Sequence, residues 1–206
     1  MKSFWDERYS DADYAYGKEP NTFFKETLDT LQLKGKALFP AEGEGRNAVY
    51  AAKKGLEVTA FDMSMEGKKK ALQLANENRV TIEYLVDEFD KLHFAENSFD
   101  LIVLIFAHFP PELNNTYYKK LANYLKPGGY IIAEAFSKEQ LKYSEANPLA
   151  GGPKNIDMLF SIDDFKNNFP DFEVFKLQQQ EIELSEGLFH KGKASVIRFV
   201  GKKPLM

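Results

Sequence analysis

Residues 37–62 read ALFPAEGEGRNAVYAAKKGLEVTAFD, and this stretch decides the fold. A short apolar run leads into a loop that holds Gly43 and Gly45, a helical pattern covers 46–54, and a second apolar run ends at Asp62. Short apolar runs that flank a helical segment, with glycine at the junctions, are typical of a β-α-β unit. The stretch therefore predicts two parallel strands joined by a helix.

The same alternation continues along the chain. Residues 99–106 form a nearly continuous apolar run, which is typical of a strand buried on both faces. The last two predicted strands, 173–184 and 194–200, are joined by so short a connection that they must be antiparallel. Strands are also predicted at 81–86 and 130–136, and helices after Asn21, over 64–78, from Pro110 to Leu125 and from Ser161 to Asn168. The pattern predicts an α/β fold: a doubly wound, mostly parallel seven-stranded sheet with an antiparallel C-terminal hairpin.

The composition of the chain excludes several classes of function. The chain has 206 residues with 44% hydrophobic composition, which suits one domain over 1–206. Its 27 basic and 31 acidic residues give no broad positive field, so we expect no nucleic-acid partner. There is no cysteine, and the three histidines are widely spaced, so we expect no metal site. Without a long apolar run or an apolar N-terminal stretch, a cytoplasmic protein with no membrane partner is expected.

The glycine loop and the acid after the second strand form a binding pattern. Asp62 lies 19 residues after Gly43, close to the spacing of about 20 at which an acid meets a ribose diol in nucleotide-binding folds. Glu42 and Glu44 flank Gly43 and would repel a pyrophosphate, whereas they suit a cofactor that carries an ammonium and a sulfonium. A tight turn without a ligand is the alternative explanation of the loop.

These residues resemble the class I S-adenosylmethionine-dependent methyltransferases, and most closely the small tellurite-resistance-like and thiopurine-like branch. The resemblance spans nearly the whole chain and rests on motifs in a fixed order. They are the loop 41–47, the segment 59–64, the pair Val86-Asp87, the strand segment 98–103, the turn 125–130 and the C-terminal hairpin. It implies a Rossmann-like methyltransferase fold with S-adenosyl-L-methionine as cofactor.

The resemblance also implies roles for individual residues. Asp62 would bind the ribose hydroxyls, Gly43 and Gly45 would approach the methionine and ribose parts, and Asp87 or Glu88 would accept from the adenine amino group. The expected cofactor-binding set is Arg8, Glu42, Gly43, Gly45, Asn47, Asp62, Met63, Ser64, Asp87, Glu88, Phe89, Phe106 and Ala107.

One departure affects the loop. The family places an acid two residues before the first glycine of the loop, where this chain has Phe39 and Ala41. Either Glu42 replaces that acid at the ammonium, or the cofactor lies differently, or the loop no longer binds.

Candidate catalytic and substrate residues lie outside the loop. His108 follows the fourth strand, next to the expected methyl group, and is a candidate base or a packing residue. An N-terminal arm and helix, residues 1–35, would cover the cofactor, and the long irregular segment 137–160 is predicted to be a lid over the substrate. The candidate substrate contacts are Tyr14, Tyr16, Lys154, Asp157 and His190.

The sequence therefore predicts methyl transfer to a small-molecule acceptor with a sulfur, oxygen, nitrogen or metalloid nucleophile. Alignment of the reactants would supply most of the rate enhancement. A monomer or a homodimer is expected. Two alternatives stay open: an NAD(P)-dependent oxidoreductase, and a module that binds S-adenosylmethionine without turnover.

Overall fold

The computed structural model describes residues 2–205. Seven strands of this described part of the chain form one sheet in the order β3-β2-β1-β4-β5-β7-β6. Strands β1 to β5 are parallel, β7 is antiparallel to β5, and β6 is antiparallel to β7. The strands are β1 (Lys36–Pro40), β2 (Glu57–Asp62), β3 (Glu83–Val86), β4 (Phe99–Ile105), β5 (Leu125–Phe136), β6 (Glu173–Glu186) and β7 (His190–Lys202). This confirms the predicted doubly wound, mostly parallel sheet with its antiparallel C-terminal hairpin.

The described residues, 2–205, also form seven α-helices around the sheet. They are α1 (Lys2–Tyr9), α2 (Thr22–Leu31), α3 (Arg46–Lys53), α4 (Met65–Glu77), α5 (Pro111–Tyr124), α6 (Gln140–Ala146) and α7 (Ile162–Asn168). Short 3-10 helices lie at Phe89–Lys91, Pro148–Ala150 and Ile156–Met158. Within residues 2–205, no helix has the length and apolar character needed to cross a bilayer.

The helix starts follow local capping chemistry. The Asn21 side chain accepts from the Phe24 backbone N–H at the start of α2, and Ser64 accepts from Gly67 at the start of α4. At α7, Ser161 and Asp164 form a reciprocal capping box. Such caps satisfy backbone donors that the first helical turn leaves free, which is why these starts could be predicted from the sequence.

Strand β4 lies in the middle of the core. Leu101 and Val103 pack in the apolar cluster on one face of the sheet, while Ile102 and Leu104 pack in the cluster on the other face. All four are almost completely buried. Burial on both faces explains the continuous apolar run of this strand, and it fixes the carboxyl end of β4 beside those of β1 and β5.

Three predicted segments differ from the structure. Helix α1 was not expected, and α6 lies inside the segment 137–160 that was predicted to lack regular structure. Strand β5 begins at Leu125, so the expected turn at 126–129 belongs to the strand. A register shift accommodates these residues, because Phe99 pairs with Leu125 whereas Leu101 pairs with Tyr130.

Candidate cofactor and acceptor site

The loop after β1 turns sharply under helix α3. Ala41, Gly43 and Gly45 all have left-handed backbone conformations, with φ of 52°, 63° and 86°. A Cβ atom on Gly45 would lie 2.8 Å from the Ala71 Cα of α4, so only glycine allows this close packing. The turn brings the backbone of the loop to the carboxyl ends of β1 and β2.

Asp62 faces this loop from the end of β2. Its Oδ2 accepts from the Gly43 backbone N–H at 3.1 Å, and its Oδ1 accepts from the Ser64 backbone N–H at 2.9 Å. Burial raises the pKa of Asp62 to about 6, although both of these hydrogen bonds oppose the shift. Among residues 2–205 the carboxylate forms no salt bridge, and each oxygen retains a lone pair for a further donor. Asp62 is thus a buried acid that suits hydroxyl or cationic ligands.

The two glutamates of the loop have different partners. Glu42 Oε1 accepts from the backbone N–H groups of Asn47 and Ala48, at 2.9 and 2.8 Å, at the start of α3. Burial raises the pKa of Glu42 to about 7. Glu44 forms a salt bridge of 2.8 Å with Lys70. Of the two, Glu42 is the acid that lacks a cationic hydrogen-bond partner within the described chain.

The residues expected around adenine are divided between the site and the core. The Asp87 backbone N–H donates to the Asp62 carbonyl at 3.2 Å, which places Asp87 beside the carboxyl end of β2. Glu88 is exposed and Met63 is half-buried. Phe89 is buried in the aromatic core, where its ring stacks on Phe61 with centroids 5.2 Å apart. The structure therefore places Phe89 among core side chains rather than beside the loop.

Asn47 and Ser64 serve the fold. Asn47 Oδ1 accepts from the Asn21 backbone N–H at 2.9 Å, which ties α3 to the start of α2. The Ser64 hydroxyl caps α4 and donates to Asp6 Oδ1 at 2.7 Å. Both side chains therefore already have protein partners.

Helix α1 covers the glycine loop. Asp6 accepts from the Met65 backbone N–H at 3.0 Å, and the Trp5 ring stacks on Tyr9 at 5.5 Å. Tyr9 is buried against the loop, where a Cβ atom on Gly43 would lie 2.6 Å from the Tyr9 hydroxyl. Tyr9 belongs to the arm that was expected to cover the cofactor. Asp6 was not expected here, because α1 shows no apolar periodicity that would mark an inward face.

The arm side chains expected at the site point to different places. Arg8 Nη1 donates to the Tyr16 hydroxyl at 3.1 Å, and its guanidinium lies 4.0 Å from the centre of the Phe189 ring. The Tyr14 hydroxyl instead donates to the Lys70 carbonyl of α4 at 3.0 Å. An open cavity of about 370 Å³ lies beside Arg8. Its lining consists of Phe4, Glu7, Arg8, Ser10, Asp11 and Phe189.

A second cluster forms at the carboxyl ends of β4 and β5. The His190 ring lies 4.4 Å from Tyr16, 4.7 Å from Phe106 and 5.4 Å from Phe136, measured between ring centroids. Phe106 has a left-handed backbone with φ of 53°, a strained conformation for a bulky residue. Ala107, the next residue, is buried. The structure thus brings together three predicted residues: Tyr16, Phe106 and His190.

Glu186 joins this cluster to the glycine loop. Its Oε2 accepts a hydrogen bond from Arg46 Nη2 at 2.9 Å and lies 3.0 Å from His190 Nδ1. Burial alone would raise the pKa of Glu186, but the hydrogen bond with His190 and the Arg46 charge lower it to about 2. The pairing of Glu186 with Arg46 was not expected from the sequence, since the two residues are 140 positions apart along the chain.

His108 contacts the predicted lid. Its Nδ1 lies 2.7 Å from the Met158 carbonyl oxygen, and its Nε2 accepts from the Phe136 backbone N–H at 3.4 Å. Burial lowers the pKa of His108 to about 4, so the ring is neutral near pH 7. Lys154 and Asp157, in the same segment, are exposed. Among residues 2–205, no group of three or more His, Cys, Asp or Glu is arranged to hold a metal ion.

Comparison with known proteins agrees with this geometry. A family described as "Methyltransferase domain" matches residues 40–129, which include the glycine loop, Asp62 and β4. This segment of the chain therefore matches a methyltransferase domain. Together with the topology, this match supports the expectation of a class I, S-adenosyl-L-methionine-dependent methyltransferase. No curated protein matches the chain by sequence.

Solved structures share the fold of this chain. A protein from a study of the conversion of a disulfide bond into a thioacetal group during echinomycin biosynthesis is 16% identical, with a TM-score of 0.75 over 99% of this chain and 92% of that chain. TehB from Haemophilus influenzae is 16% identical, with a TM-score of 0.71 over 98% of this chain and 66% of that chain. Magnesium protoporphyrin IX methyltransferase from Synechocystis, solved with bound S-adenosylhomocysteine, is 15% identical, with a TM-score of 0.66 over 98% of this chain and 93% of that chain. At these identities the likeness establishes the fold alone.

Proposed function

We propose that this methyltransferase binds S-adenosyl-L-methionine against the glycine loop and Asp62, and transfers its methyl group to a small-molecule acceptor. The proposal rests on one observation, the hydrogen bond of 3.1 Å from the Gly43 backbone N–H to Asp62 Oδ2 at the ends of β1 and β2. This is the edge of a doubly wound sheet where ligands bind.

The donor set fits the cofactor. Asp62 and Glu42 are acids in a buried setting without a salt bridge among the described residues, and burial raises the pKa of each. Such acids favour a ligand that supplies hydroxyl donors and positive charge. S-adenosylmethionine carries both, as a ribose diol and as an ammonium and a sulfonium. Asp62 would hold the ribose, and Glu42 would take the place of the missing loop acid at the ammonium.

The chain itself would mainly align and enclose the reactants. When bound, the cofactor supplies a methyl group that is already activated, so no nucleophilic side chain is needed. Helix α1 and Tyr9 would exclude water from the loop side, and the segment 137–160 would cover the acceptor side. The cavity beside Arg8 and Phe189 would admit an acceptor towards Tyr16 and His190.

We place the chain in the small tellurite-resistance-like and thiopurine-like branch. The likeness to TehB over 98% of this chain supports this placement. We further propose that the chain is a single domain and a monomer or homodimer. It would act in the cytoplasm on acceptors other than nucleic acid.

Transfer of a radiolabelled methyl group tests the proposed activity. The purified protein would be incubated with labelled S-adenosylmethionine and thiophenol, phenol, aniline or sodium tellurite as probe acceptors. We expect a labelled product with at least one probe, and less product with Asp62→Asn at equal protein concentration and limiting S-adenosylmethionine. If calorimetry shows cofactor binding while no probe is methylated, the module that binds without turnover replaces our proposal.

A further inference from the structure

We propose that His190 is the proton acceptor of the methyl-transfer reaction, with Glu186 as its positioning residue, and that the acceptor molecule is one whose nucleophilic atom carries a proton. This inference rests on the proposed methyl transfer. It assigns the acid-base role to the C-terminal hairpin rather than to His108.

The hairpin fixes the geometry of the pair. Glu186 ends β6, His190 begins β7, and the two residues are partners in the register across the three-residue turn. Glu186 Oε2 lies 3.0 Å from His190 Nδ1, and Glu186 also accepts from Arg46 and Asn21. These three donors keep the Glu186 carboxylate ionised. An ionised carboxylate has no proton to donate, so it can only accept a hydrogen bond from His190 Nδ1. His190 must therefore carry its proton on Nδ1, and Nε2 keeps a free lone pair.

The Nε2 atom of His190 lies next to Gly151, in the segment 137–160 that is predicted to be a lid. A Cβ atom on Gly151 would lie 2.7 Å from His190 Cδ2 and 3.1 Å from Nε2. Any larger residue at 151 would therefore crowd the edge of the ring that carries Nε2. Gly151 also has a left-handed backbone with φ of 76°, so two independent constraints require glycine there.

His108 lacks such a free nitrogen. Its Nδ1 is engaged by the Met158 carbonyl, and its Nε2 accepts from Phe136. Because both nitrogens are used to hold the lid segment against β5, His108 is a structural contact. Between the two histidines of this cluster, only His190 has a ring nitrogen without a hydrogen-bond partner within the described chain.

The groups around His190 keep it in its basic form. Arg46 on α3, Arg8 on α1 and His108 after β4 oppose a positive charge on the ring, while Glu186 favours one. Tyr16 packs on the ring from the arm. Burial is the largest influence and lowers the pKa of His190 below its ordinary value. The ring is therefore neutral near pH 7 and able to take up a proton.

The methyl-transfer step conserves atoms and electrons with S-adenosylmethionine as the methyl donor. The heteroatom of the acceptor uses its lone pair to form a bond to the methyl carbon, and the electron pair of the carbon–sulfur bond remains on sulfur. The proton on the heteroatom passes to His190 Nε2, while Glu186 holds the Nδ1 proton and stabilises the resulting imidazolium. A hydroxyl, amine or neutral thiol needs this assistance, whereas an ionised nucleophile does not.

Nitrogen NMR of the imidazole ring tests the pair without turnover. The protein would be labelled at histidine and studied in its complex with S-adenosylhomocysteine, with His190→Gln to assign the signals. We expect the neutral ring near pH 7 to carry its proton on Nδ1 alone, and Glu186→Gln to mix the two tautomers. A ring protonated on Nε2 near pH 7 would overturn the proposal, whether or not an acceptor has been identified.

Methyl transfer supplies the second readout. 4-Methoxyphenol keeps its proton near neutral pH, whereas 4-nitrothiophenol is already ionised. We expect His190→Gln to lower kcat for the phenol by about 100-fold, the scale of general-base assistance, to remove the acidic limb of its pH profile and to leave the thiolate unaffected. Equal losses for both probes would show that His190 only supports the fold of the site.

A matched control and a binding measurement separate the possible failures. His93→Gln makes the same change at an exposed position in the segment before β4, and should leave both rates unchanged. Calorimetry with S-adenosylhomocysteine reports on the cofactor site itself. Absence of binding in the wild type would refute the proposed function, whereas normal binding with an unchanged pH profile in His190→Gln would refute only the role of His190.

Discussion

At the scale of single residues, the acids around Gly43 stand out. Asp62 is buried at the end of β2 and Glu42 is half-buried in the loop, neither forms a salt bridge within residues 2–205, and burial raises their pKa values to about 6 and about 7. The spacing of Gly43 and Asp62 was readable from the sequence because it belongs to one local β-α-β unit. The partners of Glu186 could not be read in this way, because Asn21, Arg46 and His190 lie on three different elements.

The raised pKa values predict a pH dependence of cofactor binding. Ionisation of Asp62 and Glu42 costs more in the folded chain than in the unfolded chain, so the stability they contribute at low pH is lost as pH rises through about 6 and 7. A ligand with an ammonium and ribose hydroxyls favours the ionised forms. We therefore expect S-adenosylhomocysteine to bind more tightly, and to raise Tm by more, at about pH 8 than at about pH 5.5.

Substitution of Glu42 checks the origin of this dependence. Glu42→Gln should flatten the rise in affinity around neutral pH, because the amide does not ionise. Glu96→Gln, at an exposed position before β4, should retain the wild-type profile. An affinity that is constant with pH in the wild-type protein would mean that neither acid touches the cofactor.

At the scale of elements, the strands were more predictable than the covering segments. Strands β1, β2 and β4 are marked by apolar runs, and α2, α4 and α7 by caps that act within one turn. Helix α1 instead depends on contacts with distant residues, such as that of Asp6 with the start of α4. Phe89 was expected beside the cofactor, whereas its side chain packs in the aromatic core. The sequence does not show towards which side the side chain of a residue just after a strand points.

The arm provides an optical signal for binding. Trp5 is the single tryptophan of the chain, and it stacks on Tyr9, which lies against Gly43. We expect S-adenosylhomocysteine to change the Trp5 emission with a midpoint equal to the Kd from calorimetry, and Tyr9→Leu to reduce that change. Calorimetric binding without any change in emission would show that α1 does not respond to the occupied site.

At the scale of the whole molecule, a buried polar network connects the sheet, the helices and the hairpin. Asn21 donates to Glu134 of β5 at 2.7 Å and to Glu186 of β6 at 3.1 Å, while it also caps α2. Arg198 of β7 pairs with Glu134, and Arg46 of α3 pairs with Glu186. Burial of a carboxylate costs free energy of folding unless the group is fully hydrogen-bonded. The side-chain amide of Asn21 therefore stabilises both Glu134 of β5 and Glu186 of β6.

Removal of this amide should destabilise the protein as a whole. Asn21→Ala deletes a helix cap and leaves the buried Glu134 and the half-buried Glu186 each short of a donor, so we expect a loss of about 2 to 4 kcal/mol in the free energy of unfolding. Urea denaturation followed by circular dichroism measures the change. Asn167→Ala, at an exposed position in α7, is the matched control and should stay within about 0.5 kcal/mol of wild type. Equal stability of the two variants would show that the network adds nothing to the fold.

Calorimetric titration with S-adenosylhomocysteine measures whether the Gly43 loop and Asp62 together hold the cofactor, as we propose. Asp163→Asn, at an exposed position in α7, serves as control for the loss of a carboxylate. We predict one binding site in the wild-type protein and in the control, and an affinity lower by about 1.5 to 3 kcal/mol in Asp62→Asn, the range for hydrogen bonds to a charged group. Equal affinity in Asp62→Asn, or no binding by the wild-type protein, would refute the proposed cofactor site.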